Sequence, residues 1–186
     1  MSTRAAKIKA TVEDLYKVPD DGKAEIIHGT IRRMSPAGDF PNRAAGTVYV
    51  HLRLYEETQQ RGRAYTDNAG FMVKLPNRDS FSPDAAFYTG PRTGGNFLDG
   101  APVFAVEVRS KNDYGPKAEQ QIIDKIRDYF AAGTLVVWDV DVLRKGVVRV
   151  YRADDPDHPG LYRRGETAEA EPALPGWTLA VDELFS

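Results

Sequence analysis

The sequence predicts a mixed α/β domain in which a central sheet is flanked by helices. Near-continuous apolar runs at 102–108 and 135–139 are typical of strands buried on both faces. Two stretches with helical periodicity lie before and between these runs. The chain has 186 residues, of which 41% are hydrophobic, so it can bury one core without disulfides. We therefore expect a flexible N-terminus at 1–10 and a single domain over 11–186.

The N-terminal part of the chain is predicted to form a short helix, a strand pair and a long helix. Thr11 is a suitable N-cap, and the segment 19–22 ends the first helix. Residues 24–31 have the pattern of two short strands around a glycine. Apolar residues at helical spacing predict a helix over 42–61, with Gly62 as its C-cap.

The second part of the chain is predicted to supply most of the sheet. In order, the sequence predicts strands at 70–75, 82–88 and 102–108, a helix at 116–132, and strands at 135–139 and 146–151. We expect additional strands at the N-terminal and C-terminal ends of the domain. The remainder after residue 152 has the composition of turns and acidic surface.

The composition excludes several classes of protein. The chain has no cysteine, which excludes disulfides, thiolate zinc sites and cysteine nucleophiles and favours a reducing compartment. No apolar run approaches the roughly 20 residues that span a bilayer, and the first ten residues lack a secretory pattern, so we expect a cytoplasmic location and no membrane. Phosphate-binding loop and serine-hydrolase motifs are absent, and we expect no organic cofactor.

Charge is unevenly distributed along the chain, although the formal net charge is only −2. Residues 32–63 contain six arginines and three acids, whereas residues 153–186 contain eight acids and two arginines. This pattern fits ordinary solvated surface, or one face that accepts phosphates and another that repels them.

Two carboxylates fall within or beside predicted buried strands. Glu107 lies in the apolar run Val-Phe-Ala-Val-Glu-Val, and Asp84 follows Pro83 at the start of another strand. A buried carboxylate costs several kcal/mol unless it is paired or binds a metal. Two carboxylates on neighbouring strands repel each other, and a divalent cation relieves that repulsion. The structural alternative is that Asp84 only caps a turn.

Two cations are candidates to accompany these carboxylates. Strand alternation places Arg109 on the same face as Glu107. On the predicted helix, Lys125 is the charged residue nearest the apolar stripe that includes Tyr129, whereas Asp128 is predicted to point away. Lys125 either extends to solvent or reaches the carboxylates. In the structural alternative, Glu107 pairs with Arg109 and Lys125 is a surface lysine.

These motifs resemble a known group of nucleases. Ser82-Pro83-Asp84 followed by Glu107-Val108-Arg109 resembles the PD-(D/E)XK nuclease core, and the chain from about 11 to 185 resembles the Uma2 family of putative restriction endonucleases. The matching stretches, in family order, are 24–29, 33–36, 82–85, 106–110, 125–133, 137–141, 148–151 and 175–177. Each motif alone is common, but the ordered set is specific.

The resemblance implies a restriction-endonuclease-like fold, a Mg²⁺ or Mn²⁺ site and hydrolysis of phosphodiester bonds, with DNA as the expected substrate. Asp84 and Glu107 match the metal ligands, and the carbonyl of Val108 is the expected third ligand. Lys125 matches a catalytic lysine that this family carries on the helix. Glu25 matches an acid near the N-terminus that is expected in the outer shell of the metal.

Arg109 departs from the superfamily pattern, because it stands where the strand lysine is expected. Arginine stays protonated and cannot act as a base, so we expect it to contact phosphate or brace Glu107. A catalytically decayed module that binds nucleic acid or a protein partner is the main alternative function. The third candidate function is an interaction protein that binds no metal. A nuclease that cuts both strands needs two sites, so a homodimer is possible.

Overall fold

Three α-helices and thirteen strands make up the computed structural model, which describes residues 9–19, 22–59 and 61–186. The helices are α1 (Val12–Tyr16), α2 (Asp39–Thr58) and α3 (Pro116–Ala131), and a 3-10 helix covers Val181–Phe185. The strands are β1 (Ala24–Ile27), β2 (Thr30–Arg33), β3 (Arg63–Thr66), β4 (Phe71–Met72), β5 (Ser80–Phe81), β6 (Ala85–Tyr88), β7 (Leu98–Asp99), β8 (Phe104–Val108), β9 (Val136–Asp141), β10 (Val147–Arg152), β11 (Asp155–Arg163), β12 (Thr167–Glu169) and β13 (Thr178–Ala180).

A six-stranded mixed sheet organises the fold, in the spatial order β11-β10-β9-β8-β6-β3. Strands β8 and β9 are parallel, with Glu107 opposite Asp139, and α3 connects them. The other neighbours in this sheet are antiparallel. The predicted mixed α/β fold with a central sheet and flanking helices is thus confirmed.

Strand alternation divides the core between the two faces of the sheet. Val106 and Trp138 pack on the face covered by α2 and the C-terminal segment. Ala105 and Val137 face the other side, where they pack with Tyr129 of α3. Successive strand residues point to opposite faces, so Glu107 shares the α3 face with Ala105.

Two small sheets lie on the same face of the main sheet as α3. Strands β1 and β2 form the predicted hairpin, and β5, β4 and β7 form a three-stranded sheet. An isolated bridge between Ile27 and Arg78 joins the hairpin to the turn before β5. Thr11 and Asp14 form a capping box at the start of α1, as the sequence suggested for the N-cap.

Several boundaries differ from the sequence-based prediction. Helix α2 ends at Thr58, and Gly62 is not its C-cap but lies in the turn before β3, with φ +98°. The predicted strand 70–75 shortens to two residues, because the backbone turns between Leu75 and Arg78. The region after 152, expected to be mostly turns, contains the nine-residue strand β11 paired with β10.

Residues 1–8 of the N-terminus predicted to be flexible lie outside the described residues. Ala10, within the same prediction, donates its backbone N–H to the carbonyl of Gly29 at 3.0 Å. Among the residues described, the helices are all too short or too polar to cross a membrane.

Candidate active site

Asp84 and Glu107 lie side by side on neighbouring chain segments. The antiparallel register pairs Ala85 with Val106, which places Asp84 opposite Glu107 one step further along. The backbone N–H of Asp84 donates to the carbonyl of Val106 at 2.9 Å, and the N–H of Val108 donates to Asp84 Oδ2 at 2.7 Å. Asp84 lies just before β6 and not within the strand. Its carboxylate accepts the Val108 N–H and so links this segment to β8.

Helix α3 brings Lys125 to Glu107 and to a third carboxylate, Glu25. Lys125 Nζ lies 2.8 Å from Glu107 Oε2 and 2.9 Å from Glu25 Oε1. The ammonium therefore bridges strand β8 and strand β1. The structure brings Glu25, Asp84, Glu107 and Lys125 into one cluster, and the surface alternative for Lys125 does not hold.

Glu25 is the most buried acid of the cluster and is held by three groups. Its carboxylate accepts from Arg78 Nη1 at 2.6 Å and from the backbone N–H of Ser82 at 2.8 Å, in addition to Lys125. Arg78 Nε donates to Asp128 at 2.8 Å, so Asp128 faces this cluster and the prediction that it points away is wrong. The reason is the turn before β5, which lies against α3 and places a buried cation there.

Two further side chains of the site were not predicted. Lys23, just before β1, places its Nζ 2.6 Å from Asp84 Oδ1 and 2.7 Å from Asp67 Oδ1. The hydroxyl of Tyr129 donates to Glu107 Oε1 at 2.6 Å. The helical pattern predicted Tyr129 only as part of the apolar stripe. Tyr129 lies one turn after Lys125 on the same helix face, which could have indicated that its hydroxyl reaches the same carboxylate.

The charges of the cluster stabilise the protonated forms of Lys125 and Lys23, whereas the ionised form of Glu107 is disfavoured. Burial and then the Asp84 carboxylate raise the pKa of Glu107, although Lys125 opposes the shift. Burial opposes the charge on Lys125, but Glu107 and Glu25 outweigh it and raise the pKa of the lysine. The pKa of Lys23 is raised in the same way, by Asp84 above all, against the effect of burial. Both lysines are thus hydrogen-bond donors at neutral pH and not bases.

Glu25 shows the opposite shift within the same cluster. Burial raises the pKa of its carboxyl, but the charges of Lys125 and Arg78 outweigh burial and hold the pKa below its usual value. For Tyr129, burial and the Glu107 charge raise the pKa of the phenol well above its usual value. Tyr129 therefore remains a neutral hydrogen-bond donor to Glu107.

Arg109 does not brace Glu107, so that expectation is wrong. Its guanidinium lies 2.6 Å and 2.7 Å from the two Asp139 oxygens and also donates twice to Glu119. The residue is 4% exposed. Asp139 sits opposite Glu107 in the β8–β9 register, and the long arginine reaches across to it. Arg109 thus joins two strands to the first turn of α3.

The donor set fits a divalent cation of the magnesium type. Carboxylate oxygens of Asp84 and Glu107 are hard ligands at adjacent positions. Within residues 9–19, 22–59 and 61–186, no group of three or more acids or histidines forms a ready-made metal cage. Magnesium commonly binds one or two carboxylates and completes its shell with water and substrate phosphate, so two carboxylates are sufficient.

The charge balance around this pair also favours a dication. Among the described residues, two adjacent groups of ion pairs together contain five carboxylates and three cations, an excess of two negative charges when all are ionised. The carboxylates belong to Glu25, Asp67, Asp84, Glu107 and Asp128, and the cations to Lys23, Arg78 and Lys125.

Comparison with known proteins finds one family model and a solved structure that are similar to this chain. The Uma2 family model, described as a putative restriction endonuclease, matches residues 11–182. A solved structure from Anabaena variabilis, described as a putative nuclease of a domain-of-unknown-function family, superposes with a TM-score of 0.74 at 18% identity, covering 94% of this chain and 97% of that chain. No curated protein sequence matches the chain significantly.

Proposed function

The chain belongs to the Uma2 family of putative restriction endonucleases, and we propose that it is a Mg²⁺- or Mn²⁺-dependent endonuclease acting on DNA. Asp84 and Glu107 would hold the metal, and the carbonyl of Val108 is the proposed third protein ligand. The bound metal would supply an activated water and neutralise charge on the scissile phosphate.

The side chains around the carboxylates bind and orient. Lys125, held protonated by Glu107 and Glu25, is placed to donate to a phosphate oxygen or to the attacking water. Tyr129 fixes one oxygen of Glu107, so the other carboxylate lone pairs keep a defined direction. Glu25 positions Lys125 on one side and the Ser82 backbone that precedes Asp84 on the other.

One observation supports this proposal most directly. Asp84 and Glu107 are adjacent and about one-fifth exposed, and the ion pairs around them leave an excess of two negative charges when all five carboxylates are ionised. Keeping like charges together at a partly buried position costs stability, which is typical of a functional site. A divalent cation is the simplest counter-charge, because it neutralises the excess and uses the same oxygens.

Plasmid cleavage tests the proposal. The purified protein should nick supercoiled DNA with Mn²⁺ or Mg²⁺ and not with EDTA. Asp84→Asn, which keeps an oxygen for the Val108 N–H, should lose the activity. Asp157→Asn, at an exposed position far along the chain, is the matched control and should remain active. Equal nicking by wild type and Asp84→Asn would refute the site.

A module that binds nucleic acid or a protein partner without catalysis is the second candidate. The observation that favours it is Lys23, whose ammonium lies 2.6 Å from the Asp84 oxygen that a metal would use. Isothermal titration with Mn²⁺ separates the candidates, since a decayed site would show no binding. For the nuclease, we expect binding that is lost in Glu107→Gln.

The remaining parts of the proposal concern assembly and location. We propose a homodimer, because double-strand cleavage needs two active sites related by two-fold symmetry. Light scattering that showed a monomer at working concentration would contradict it. We place the protein in the cytoplasm, since the lack of cysteine suits a reducing compartment.

A further inference from the structure

Three arginines line one pocket at the edge of the main sheet. The pocket has a volume of about 540 Å³ and is lined by Arg61, Arg63 and Arg92, with Glu56 and the 89–91 turn completing its wall. It lies where β3 begins and β6 ends, since Arg63 pairs with Tyr88. From the charge and position of these groups, we propose that this pocket binds a backbone phosphate of the nucleic acid whose cleavage is proposed above.

Two glycines in the wall of the pocket, Gly62 and Gly90, leave no room for a side chain. A Cβ atom on Gly62 would lie 2.2 Å from the Phe87 ring, and φ at this residue is +98°. A Cβ atom on Gly90 would lie 2.2 Å from the Tyr88 hydroxyl. Arg63 Nη2 donates to the carbonyl of Gly90, which ties the two turns together. Arg63 is thus fixed between the two turns, and a larger residue at Gly62 or Gly90 would displace the Phe87 or Tyr88 side chain.

The pocket carries positive charge that its own wall does not neutralise. Within residues 9–19, 22–59 and 61–186, neither Arg61 nor Arg92 lies within 4.0 Å of a carboxylate oxygen. The acid in the wall, Glu56, is used elsewhere, because it accepts from the Ala64 N–H at 2.8 Å and pairs with Arg53 at 3.2 Å. A guanidinium group can donate two parallel hydrogen bonds to two oxygens of one phosphate. A phosphate is therefore the ligand that fits the charge of this pocket.

The distance to the candidate active site suits a nucleic-acid strand. Tyr88 and Asp84 are four residues apart along the chain that forms β6, which corresponds to about 13 Å in a strand. A nucleic-acid strand bound at the candidate active site therefore reaches the pocket within a few nucleotides. At the near end of β3, Asp67 pairs with Lys23, which contacts Asp84. One edge strand thus connects the two sites.

Binding of labelled DNA in EDTA tests the pocket without cleavage. Fluorescence anisotropy would compare wild type with Arg61→Ala/Arg92→Ala across salt concentrations, using 20-nucleotide single-stranded and duplex probes. Each lost phosphate contact lowers the slope of log affinity against log salt by about 0.7 to 0.9. We expect the double variant to bind about tenfold more weakly at low salt and to lose about 0.8 in slope, the value for one phosphate contact. Arg127→Ala/Arg164→Ala removes the same charge from two other exposed positions and should bind like wild type.

The outcomes separate this inference from the proposed nuclease function. Unchanged affinity and slope in the pocket variant, or no DNA binding by wild type, would overturn the pocket whatever the cleavage assay shows. If micromolar inorganic phosphate weakens DNA binding by the wild type as much as the two substitutions do, the pocket is a site for small anions. That result would also overturn the inference. Loss of binding in the variant, together with a wild type that never cuts DNA, would support the pocket and refute the nuclease.

Discussion

Replacing Lys125 by methionine tests whether the cluster is held together by charge. Methionine keeps most of the aliphatic stem but removes the ammonium that bridges Glu25 and Glu107 at 2.9 Å and 2.8 Å. Glu25 retains Arg78 and the Ser82 N–H. Glu107 retains only the Tyr129 hydroxyl among the donors described, so the unpaired charge falls mainly on Glu107.

The expected destabilisation follows from the burial of this pair. Removing one partner of a fully buried ion pair costs roughly 3 to 5 kcal/mol. The Lys125 and Glu107 side chains are 17% and 21% exposed, so solvent screens part of the interaction. We therefore expect the free energy of unfolding to fall by about 2 to 4 kcal/mol at neutral pH.

The loss should depend on pH in a defined direction. Burial already raises the pKa of Glu107, and removal of the ammonium raises it further. The native state then holds the Glu107 proton more tightly than the unfolded chain, so the free energy of unfolding falls as pH rises from about 4.5 through the native pKa. Protonation relieves the unpaired charge below that pKa. The defect of Lys125→Met should thus be larger at pH 8 than at pH 5.5.

Urea unfolding of five proteins at both pH values measures these effects. They are wild type, Lys125→Met, Glu107→Gln, the double variant, and Lys117→Met as an exposed lysine control on the same helix. The double variant should lose less stability than the sum of the single variants, with a coupling of about 1 to 3 kcal/mol. A loss below 1 kcal/mol for Lys125→Met, the same loss at both pH values, or simple additivity would refute the reasoning.

Three other substitutions test separate parts of the structure. Tyr129→Phe keeps the ring but removes the donor to Glu107, so it should lower the free energy of unfolding by about 1.5 to 3 kcal/mol and weaken Mn²⁺ binding in titrations at pH 6; unchanged values for both would contradict the bond. Arg109→Lys loses the paired bonds to Asp139 and should destabilise by about 2 to 4 kcal/mol in urea; a more stable variant would contradict the structural role. Gly62→Ala forces a side chain onto a φ of +98° and should cost about 2 kcal/mol or more, measured by the same method, whereas tolerance would contradict the close packing.

The sequence was sufficient for the fold because its strongest patterns are local. The runs around Val106 and Trp138 are apolar on both faces, as expected of central strands that carry helices on either side. Boundaries were less predictable where tertiary packing decides them. Gly62 had the sequence context of a helix C-cap. Glycine is required at this position because the Phe87 ring of β6 packs against it, and no local pattern encodes that contact.

The predicted site shows the same division. Glu107 and Lys125 could be identified because a charge within an apolar pattern is conspicuous in one dimension. Lys23 lies in a short segment without periodicity, and its contact with Asp84 joins residues that are 61 positions apart. That contact depends on how the β1–β2 hairpin docks on the turn before β5, which the sequence does not reveal.

The arginine at the strand-lysine position is explained by the same long-range packing. Arg109 binds Glu119 in α3 and Asp139 in β9, so it fixes the start of the helix to the two central strands. Lys125 follows Glu119 by six residues, or about 9 Å of rigid helix. Its ammonium therefore reaches Glu107 from a helix whose first turn is anchored next to the strand that carries Glu107. Arg109 cannot lose its proton, but it sets the position of a lysine that contacts the candidate metal ligand, and a shorter cation at 109 would release that anchor.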